Sequence, residues 1–434
     1  MTRILAQAAR ERHADLEAWE TALRAAVLAA GAKALGALLD GIGSGHRPTP
    51  LLCECGTRME SQGRKEKHLL TILGPVEYRR SRFVCPACRC TRYPGDEALD
   101  IRDTTRSPGL RRMMARAGSK STFKEGRDDL AVYAGIGVSA KDVERVAERI
   151  GADIEVWSQQ ERQPLLQDNR PIPLQKTIPF FYISYDGTGI PMTPIHLEGR
   201  QGKQPDGSAK TREAKLGCVF TQTTTNKDGF PIRDPESTTF VGQIETAEDF
   251  GYRIYAEAVR RGLEDAHQVI VLGDGAEWIR TLAEMHFPRA TQIIDLYHAR
   301  QHLSTLCKIL FGPDEDQVIH HRIRWWDDLD AGAIEKILEE ARSLLPNDPG
   351  ACESAQTKLT YFEKNKTRMR YADFRARHLF VGSGVIEAGC KSVIGQRLKQ
   401  SGMEWSVRGA NAILSLRCAM ASGRLEDFWE NRAA

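Results

Sequence analysis

The sequence predicts a multidomain α/β protein: a mixed sheet with helices, interrupted by a helical insertion and preceded by a cysteine-rich hairpin and a helical segment. Three observations predict it. Strand-like and helix-like runs alternate from residue 178 to about 302, and three of the strand-like runs lead into an aspartate. Five of the ten cysteines fall between Cys53 and Cys90. Residues 303–380 are rich in helix formers. With 434 residues, 41% of them hydrophobic, the chain is long enough to bury two to four cores.

The first segment, residues 1–46, reads as helix over 5–42, with Leu16, Trp19, Leu23, Val27, Leu28 and Leu35 on one stripe among alanines. The glycines and prolines of "DGIGSGHRPTP" end it. Packing or dimerisation accounts for such a helix. No unbroken run reaches about 18 apolar residues, so no membrane span is expected. The N-terminus has no secretory apolar core, which makes a cytoplasmic protein the default.

Residues 47–100 hold Cys53-x-Cys55, then 29 residues, then Cys85-x-x-Cys88-x-Cys90. Between them, "LLTILG" and "VEYRRSRFVC" read as two strands joined at Gly74-Pro75. Two cysteine pairs at the ends of a hairpin describe a zinc ribbon, because zinc takes four soft ligands at tetrahedral corners. Cys53, Cys55, Cys85 and Cys88 are the expected ligands, with Cys90 able to replace either of the last two; unligated structural thiols are the alternative.

Residues 101–157 are basic and helical. Eight basic residues against two acidic ones between Ile101 and Arg127 give this stretch a charge of +6, within a chain whose net charge is only +3. A uniformly basic coat is thereby excluded, while local contact with a polyanion is not. Ser107-Pro108 caps one helix, and Ser139 caps another whose Val143, Val146, Ala147 and Ile150 form an apolar stripe. Within "FKEGRDDLAVYAGIGVSAKDVERVAERIG" two helices, the second of them this Ser139-capped one, flank a Gly135-Ile136-Gly137 turn, which fits a helix-turn-helix DNA reader or an ordinary helical hairpin. Expected DNA contacts here and on the hairpin are Arg79, Arg80, Arg82, Arg111, Arg112, Lys141 and Arg145. The Gln- and Pro-rich residues 158–177 read as a linker.

Residues 178–302 carry the chemistry. "IPFFYISYDGTGIPM" reads as a buried strand delivering Asp186 at its C-terminal end. "KLGCVFTQTTT" and "STTFVGQI" follow as an antiparallel hairpin, then the amphipathic helix "TAEDFGYRIYAEAVRRGLE". "HQVIVLGDG" is a strand ending at Asp274, and "ATQIID" one ending at Asp295. Strand, hairpin, helix, strand, helix, strand, helix is the element order of the ribonuclease-H-like fold, in which the first strand and the strand after the first helix lie side by side. Asp186 and Asp274 would then repel at close range, and a divalent cation relieves that repulsion. Each signal alone has a plainer reading: Asp-Gly after a strand is usually a turn, and a glutamate in a helix is usually solvated.

In residues 381–434, "GSGVIEAGCKSVIGQRLKQSG" reads as a helix opened by Ser383-Gly384 and ended by Gly402. Glu387 is the candidate third carboxylate; its neighbours Ala388 and Gly389 are small enough to let the helix approach a sheet. Lys391, Arg397 and Lys399 on the same segment, and Trp405 after it, are candidate DNA contacts. The 112 residues between Asp274 and Glu387 exceed what such a fold needs, so 303–380 is expected to be a helical insertion domain, with Trp325-Trp326 as core aromatics or as a stacking surface for a flipped base. Asp295, His298 and His302 are candidates for substrate positioning or proton handling, with a structural hydrogen bond as the alternative.

"YISYDGTGIP", "VIVLGDGAEWI", "IIDLYHARQHL" and "GSGVIEAGCKSVIGQRLKQSGMEW" resemble the transposases of bacterial insertion sequences of the ISKra group, and "CECG…GRKEKHLLTILGPVEYRRSRFVCPAC" resembles their N-terminal zinc-ribbon part. Asp295-x-x-His298 more distantly resembles a motif of Mutator-like transposases. The resemblance runs from about residue 50 to 425 and is most specific from Gly382 to Trp405. It implies an Asp-Asp-Glu site with Mg²⁺ (or Mn²⁺), which maps onto Asp186, Asp274 and Glu387; the match, rather than periodicity, selects Glu387. It further implies a bacterial, nucleoid-associated enzyme acting on double-stranded DNA, both terminal inverted repeats and target, as a homo-oligomer with a dimer the smallest form that pairs two ends. A nuclease that cleaves without strand transfer, and a non-catalytic zinc-dependent DNA-binding regulator using only residues 50–150, are the competing readings.

Overall fold

The computed structural model describes residues 15–42, 50–167, 177–202, 204–205 and 207–433. The expected helical start at 5–14, the stop at 43–49 and the linker residues 168–176 lie outside the described residues. The chain divides into two compact units, one of residues 1–150 with 430–434, the other of 151–429.

In the first unit, helix α1 (Leu16–Ile42) is followed by strands β1 (Glu60–Thr71) and β2 (Gly74–Val84), an antiparallel pair to which β3 (Thr91–Arg92) adds a short third strand. The hairpin turn falls at Ile72-Leu73, two residues earlier than expected: Thr71 pairs with Gly74, and the Thr71 hydroxyl accepts from Leu73 N and donates to Gly74 O. Gly74 sits at φ +109°, a conformation that favours glycine. Alternation along the strands buries Leu69, Val76 and Tyr78, and the C-terminal half of α1 covers them with Ala32 and Leu39. The N-terminal half leaves Leu16, Trp19, Leu23 and Val27 exposed. Leu16–Gly41 is long and apolar enough, by length and composition alone, to cross a membrane, with mean hydropathy 1.6. This corrects the sequence criterion, which required an unbroken apolar run and so passed over a helix interrupted by Arg24 and Lys33.

Helices α2 (Pro94–Ala98), α3 (Pro108–Lys120), α4 (Phe123–Asp129) and α5 (Ala140–Leu166) follow. Ser107 caps α3 by accepting from Leu110 N, Thr122 and Glu125 form a capping box on α4, and Ser139 Oγ accepts from Asp142 N. Leu110, Met114, Leu130, Ile136 and Val143 make the core of this bundle. A Cβ on Gly118 would fall 2.9 Å from Ala147 Cβ, so glycine is what lets α3 and α5 cross this closely. Helix α5 runs on through Leu166, which corrects the expected linker over 158–166. The reason is tertiary: within the second unit Arg424 lies over the Trp157 ring, Arg162 pairs with Glu155, and Arg424 pairs with Glu161.

The second unit is built on a five-stranded sheet: β4 (Ile178–Pro191), β5 (Thr211–Gln222), β8 (Thr239–Gln243), β9 (Ala266–Gly273) and β10 (Thr291–Ile294), in the order β10-β9-β4-β5-β8. A small separate hairpin, β6 (Thr224–Thr225) with β7 (Pro231–Ile232), lies in the β5–β8 connection. β4 is antiparallel to β5 and parallel to β9, and β9 is parallel to β10. On one face Phe181, Ile183 and Tyr185 pack under α6 (Ala247–Arg260) and α7 (Glu277–His286). Tyr182 lies on the other face, stacked on Phe220 with Phe380 edge-on.

After β10 come α8 (Leu296–Phe311), α9 (Glu315–Asp330), α10 (Ile334–Ser343), α11 (Pro349–Asn365), a single turn Lys366–Arg368, and α12 (Tyr371–Ala376), so residues 303–380 are helical. Trp325 is fully buried with Nε1 donating to Glu340, and Trp326 Nε1 donates to Arg300 O, which makes both structural rather than stacking platforms for a base. The segment after Ser383 is α13 (Gly384–Gly389), a π turn from Cys390 to Gly395, and α14 (Gln396–Leu398), closing four residues before Gly402 at φ +75°. α15 (Val407–Ala421) and α16 (Leu425–Ala433) complete the chain.

Candidate functional site

Among the described residues three groups of potential metal ligands occur: the exposed Glu66, His68 and Glu77 on the hairpin, and two others, one in each unit, that the sequence motifs single out. In the first of these two, Cys53 Sγ lies 3.4 Å from Cys88 Sγ and Cys55 Sγ lies 3.5 Å from Cys85 Sγ, and all four sulfurs are within 4.8 Å of one another. Thiolates at the usual zinc–sulfur distance of about 2.3 Å would be spaced by roughly 3.8 Å around a tetrahedron, so this set could hold zinc. Two tight backbone turns make it: Gly56 N donates to Cys53 O, and Arg89 N donates to Cys85 O. Cys90 lies outside the set and is exposed; its backbone carbonyl accepts from Cys85 N. Hydrogen bonds from the Thr57 side chain and backbone, together with the neighbouring thiols, lower the Cys55 thiol to about 6.

The second cluster sits where the parallel strands end. The β4–β9 ladder stops at Ser184 and Leu272, and Asp186 comes two residues later on the same face as Ser184. The strand does not stop with it, as the sequence suggested, but runs on to Pro191 against β5. Asp274 follows β9 directly, its Oδ1 accepting from Ala276 N at 2.9 Å. Asp295 follows β10 directly and caps α8, accepting from His298 N at 2.7 Å.

Glu387 arrives on α13, which can sit on the sheet because of Gly389. A Cβ there would fall 2.5 Å from the Phe240 ring and 3.2 Å from Leu216, and Leu216 is the cross-strand neighbour of Asp186. One residue on, the Cys390 thiol donates to Asp186 Oδ2 at 3.8 Å. Burial, together with the Asp186 carboxylate, pushes that thiol up to about 12, so it stays a donor.

Asp295 ties these elements together. Its backbone N–H donates to Gly273 O at 2.8 Å, its Oδ2 accepts from Ser383 N at 2.5 Å, and Ser383 Oγ donates to Glu387 Oε1 at 3.3 Å. The residue is fully buried and both carboxylate oxygens are engaged. Burial alone would raise its carboxyl, but the hydrogen bonds from His298 and Ser383 outweigh it and hold the carboxyl below its ordinary range. His298 Nδ1 lies 3.5 Å from Asp295 Oδ1; that contact, with the fields of Asp274 and Glu387, raises the imidazole above its ordinary value.

The ligand atoms within 4.8 Å of one another are those of Asp295, His298 and Glu387. Asp186 and Asp274 stand outside that tight set but inside its field. Burial raises the Asp186 carboxyl, the Gly187 N–H lowers it, and Asp274 raises it further. His302 faces the insertion instead, stacked on Tyr361 at 4.2 Å with Nδ1 3.0 Å from Lys358 Nζ. Sequence reasoning missed Cys390 and the linking role of Ser383; both lie inside the motif from Gly382 to Trp405, but only the packing of α13 on the sheet gives them partners.

Four of the expected DNA contacts are corrected. Arg111 is buried and donates to Asp100. Arg80 is bound to Asp96 and stacked on Tyr93. Arg397 is fully buried, with its guanidinium over the Trp405 ring. Trp405 is itself buried, donating to Leu398 O and joined to the end of β4 through Pro191 O. Charge and aromaticity read along a chain cannot tell a solvent-facing side chain from one folded onto a partner. Arg79, Arg112, Lys141, Arg145, Lys391 and Lys399 are exposed, and Arg82 is half-buried.

Compared with known proteins, residues 236–432, just under half of the chain, match the model of an uncharacterised protein family, UPF0236. No curated protein matches. Among solved structures, a chain of the Drosophila P element transposase strand transfer complex is similar with a TM-score of 0.34 and 9% identity, over 73% of this chain and 92% of that one.

Proposed function

We propose that this chain is a DNA transposase of the Asp-Asp-Glu type, with Asp186, Asp274 and Glu387 holding divalent cations, Mg²⁺ or Mn²⁺. One observation carries the reading: three half-buried carboxylates converge on one end of a sheet, and among the ion pairs of the described residues none joins them to a lysine or arginine. Carboxylates gathered in this way without cationic partners are costly unless a cation joins them. The strand order β10-β9-β4-β5-β8, with two antiparallel and two parallel pairings, supports a ribonuclease-H-like core, and the motifs that resemble ISKra-group transposases fall on these elements.

Each residue has its own task. Asp274 is fixed by the Ala276 N–H and Glu387 by Ser383, so both present a free carboxylate oxygen. His298, with its raised affinity for a proton, is placed to donate to a phosphate oxygen, and exposed Lys391 and Lys399 extend the positive surface along the same segment. Divalent metal bound there supplies the Lewis acidity for in-line displacement at phosphorus. Asp295 acts through Ser383 as a strut rather than as a ligand. The four-cysteine set holds a structural zinc, and the exposed Arg79, Arg112, Lys141 and Arg145 contact element-end DNA as part of a cytoplasmic homo-oligomer.

The test is Mg²⁺-dependent cleavage and joining of DNA that carries the element's ends. Asp186→Asn, Asp274→Asn and Glu387→Gln are each expected to lower both reactions by on the order of 10³-fold. Cleavage without joining would favour a nuclease, and an Asp186→Asn chain as active as the parent would leave only a DNA-binding protein.

A further inference from the structure

Between the N-terminal end of α7 and helix α11 of the insertion runs a groove of about 530 Å³, with Gly275, Arg280, Thr357, Tyr361, Lys364 and Arg368 among its lining residues. It begins at the turn that carries Asp274. The Tyr361 hydroxyl donates to Asp274 O at 3.1 Å, and Gly275 sits at φ +86° where a Cβ would fall 2.7 Å from that hydroxyl. The groove and the carboxylate-bearing turn are therefore held as one piece.

Its cations are placed unlike others in this unit. Arg253, Arg300, Arg324, Arg370 and Arg424 each pair with a carboxylate. Arg368 is half-buried, yet its two amino groups donate to neutral amide oxygens, those of Asn365 and Gln292. These bonds fix the guanidinium without neutralising it. Arg280 is near enough to depress it further by like-charge repulsion, after burial. Lys364 is exposed, and Arg280 has only the exposed Glu277 at 3.3 Å. Glu277 and Glu353 also line the groove. Glu284 offsets part of the Arg280 repulsion through space, but no carboxylate is hydrogen-bonded to Arg368. A guanidinium fixed by neutral partners beside a second arginine and a lysine is an arrangement for a phosphate. The uncapped start of α7, with Ala276 at its N-cap, adds to the favourable field.

We infer that this groove binds the sugar-phosphate backbone of the DNA strand that enters the carboxylate cluster, with Arg368 as a fixed phosphate ligand and Arg280 and Lys364 as flanking contacts. The inference rests on the proposed action on DNA and names the path by which the strand reaches Asp274.

The experiment measures binding of the full-length, zinc-loaded protein to a fluorescent duplex of arbitrary sequence with a single-stranded extension, without added magnesium or manganese and over a range of salt. Arg280→Gln with Lys364→Gln, both on the surface, is expected to weaken binding and to reduce the slope of log K against log salt by close to one per cation removed. Arg368→Gln is expected to weaken binding further, and Arg368→Lys to restore part of the slope; a purely structural role at this position would instead lower thermal stability and leave the slope alone. Unchanged slopes in all of these folded variants, with the parent protein binding and cleaving DNA, would overturn the groove alone. A parent protein that does not bind the duplex at all would overturn the proposed function and the groove with it.

Discussion

The sulfurs of Cys53, Cys55, Cys85 and Cys88 come from two short turns at one end of a hairpin, whereas the carboxylates of Asp186, Asp274 and Glu387 come from β4, the end of β9 and a helix that follows the whole insertion. The thiol set is closed: four soft donors within 4.8 Å, with the fifth nearby cysteine left outside. The carboxylate set is open: hard donors, of which Asp274 and Glu387 each keep an oxygen without a hydrogen-bond donor, near an imidazole whose affinity for a proton is raised. Closure suits a metal that substitutes for a hydrophobic core in a small module, and openness suits a metal that must also meet a substrate. One centre is expected to spend its binding energy on folding and the other to weaken the fold in order to act.

Metal removal should divide the two centres most sharply. Stripping zinc with a strong chelator, or Cys85→Ser, is expected to cost the ribbon on the order of 10 kcal/mol. Hydrogen exchange on the full chain would read this as lost protection along β1 and β2, with β4 and β9 still protected. Cys90→Ser should leave zinc content unchanged. Protection of β1 and β2 that survives chelation would mean that the packing of Leu69, Val76 and Tyr78 under α1 suffices by itself, and the contrast between the centres would fail.

A smaller effect tests whether the open centre depends on its strut. Asp295→Asn turns an amide N–H toward one of two backbone donors, His298 N or Ser383 N, so the cap of α8 or the tie to α13 should loosen and Glu387 should shift. The expected loss is roughly 10²-fold in cleavage, because displacements near 1 Å cost about that much. The magnesium concentration for half-maximal rate should rise as well, a readout that a general loss of stability would not move. Ser383→Ala keeps the backbone N–H and should cost less.

How far these features are visible in the sequence depends on whether their cause is local. A β-branched run followed at once by aspartate, as in "VIVLGD" and "TQIID", places Asp274 and Asp295 at strand ends because the alternation that buries the strand also ends it. The cysteine pairs are legible for the same reason. The strut is not, since Asp295 meets Ser383 across 88 positions of chain. Arg368 is harder still: only the meeting of the Lys366–Arg368 turn with Gln292 shows that its hydrogen bonds go to neutral amides. Misreading Arg111, Arg397 and Trp405 as DNA contacts has the opposite cause, because each is absorbed by a partner that composition cannot reveal. The helix through 158–166 is concealed by its polarity and by Pro164, whose low helix propensity is overridden by the contacts of Trp157 and Glu161.

The smallest expected effect is the most direct measure of what the open centre does to the fold. Burial raises the Asp186 carboxyl above 3.8, and Asp274 raises it further. A carboxyl whose folded value exceeds its unfolded one binds protons more tightly in the native state, so in metal-free protein its charge destabilises the fold at neutral pH. That penalty is relieved as pH falls through the raised folded value and is absent below 3.8. Asp186→Asn removes the charge and keeps the shape. In chelator at pH 7 it should therefore stabilise the second unit, by about 1 kcal/mol, while abolishing cleavage. The gain should vanish on acidification toward pH 4. Saturating magnesium should also reverse it, because the parent protein then has a cation to hold and the variant has lost a ligand. Thermal melts of the two proteins with and without metal, at both pH values, would show this crossing. An Asn variant less stable than the parent in chelator would mean that Asp186 is held by the fold for its own sake, as the cysteines are.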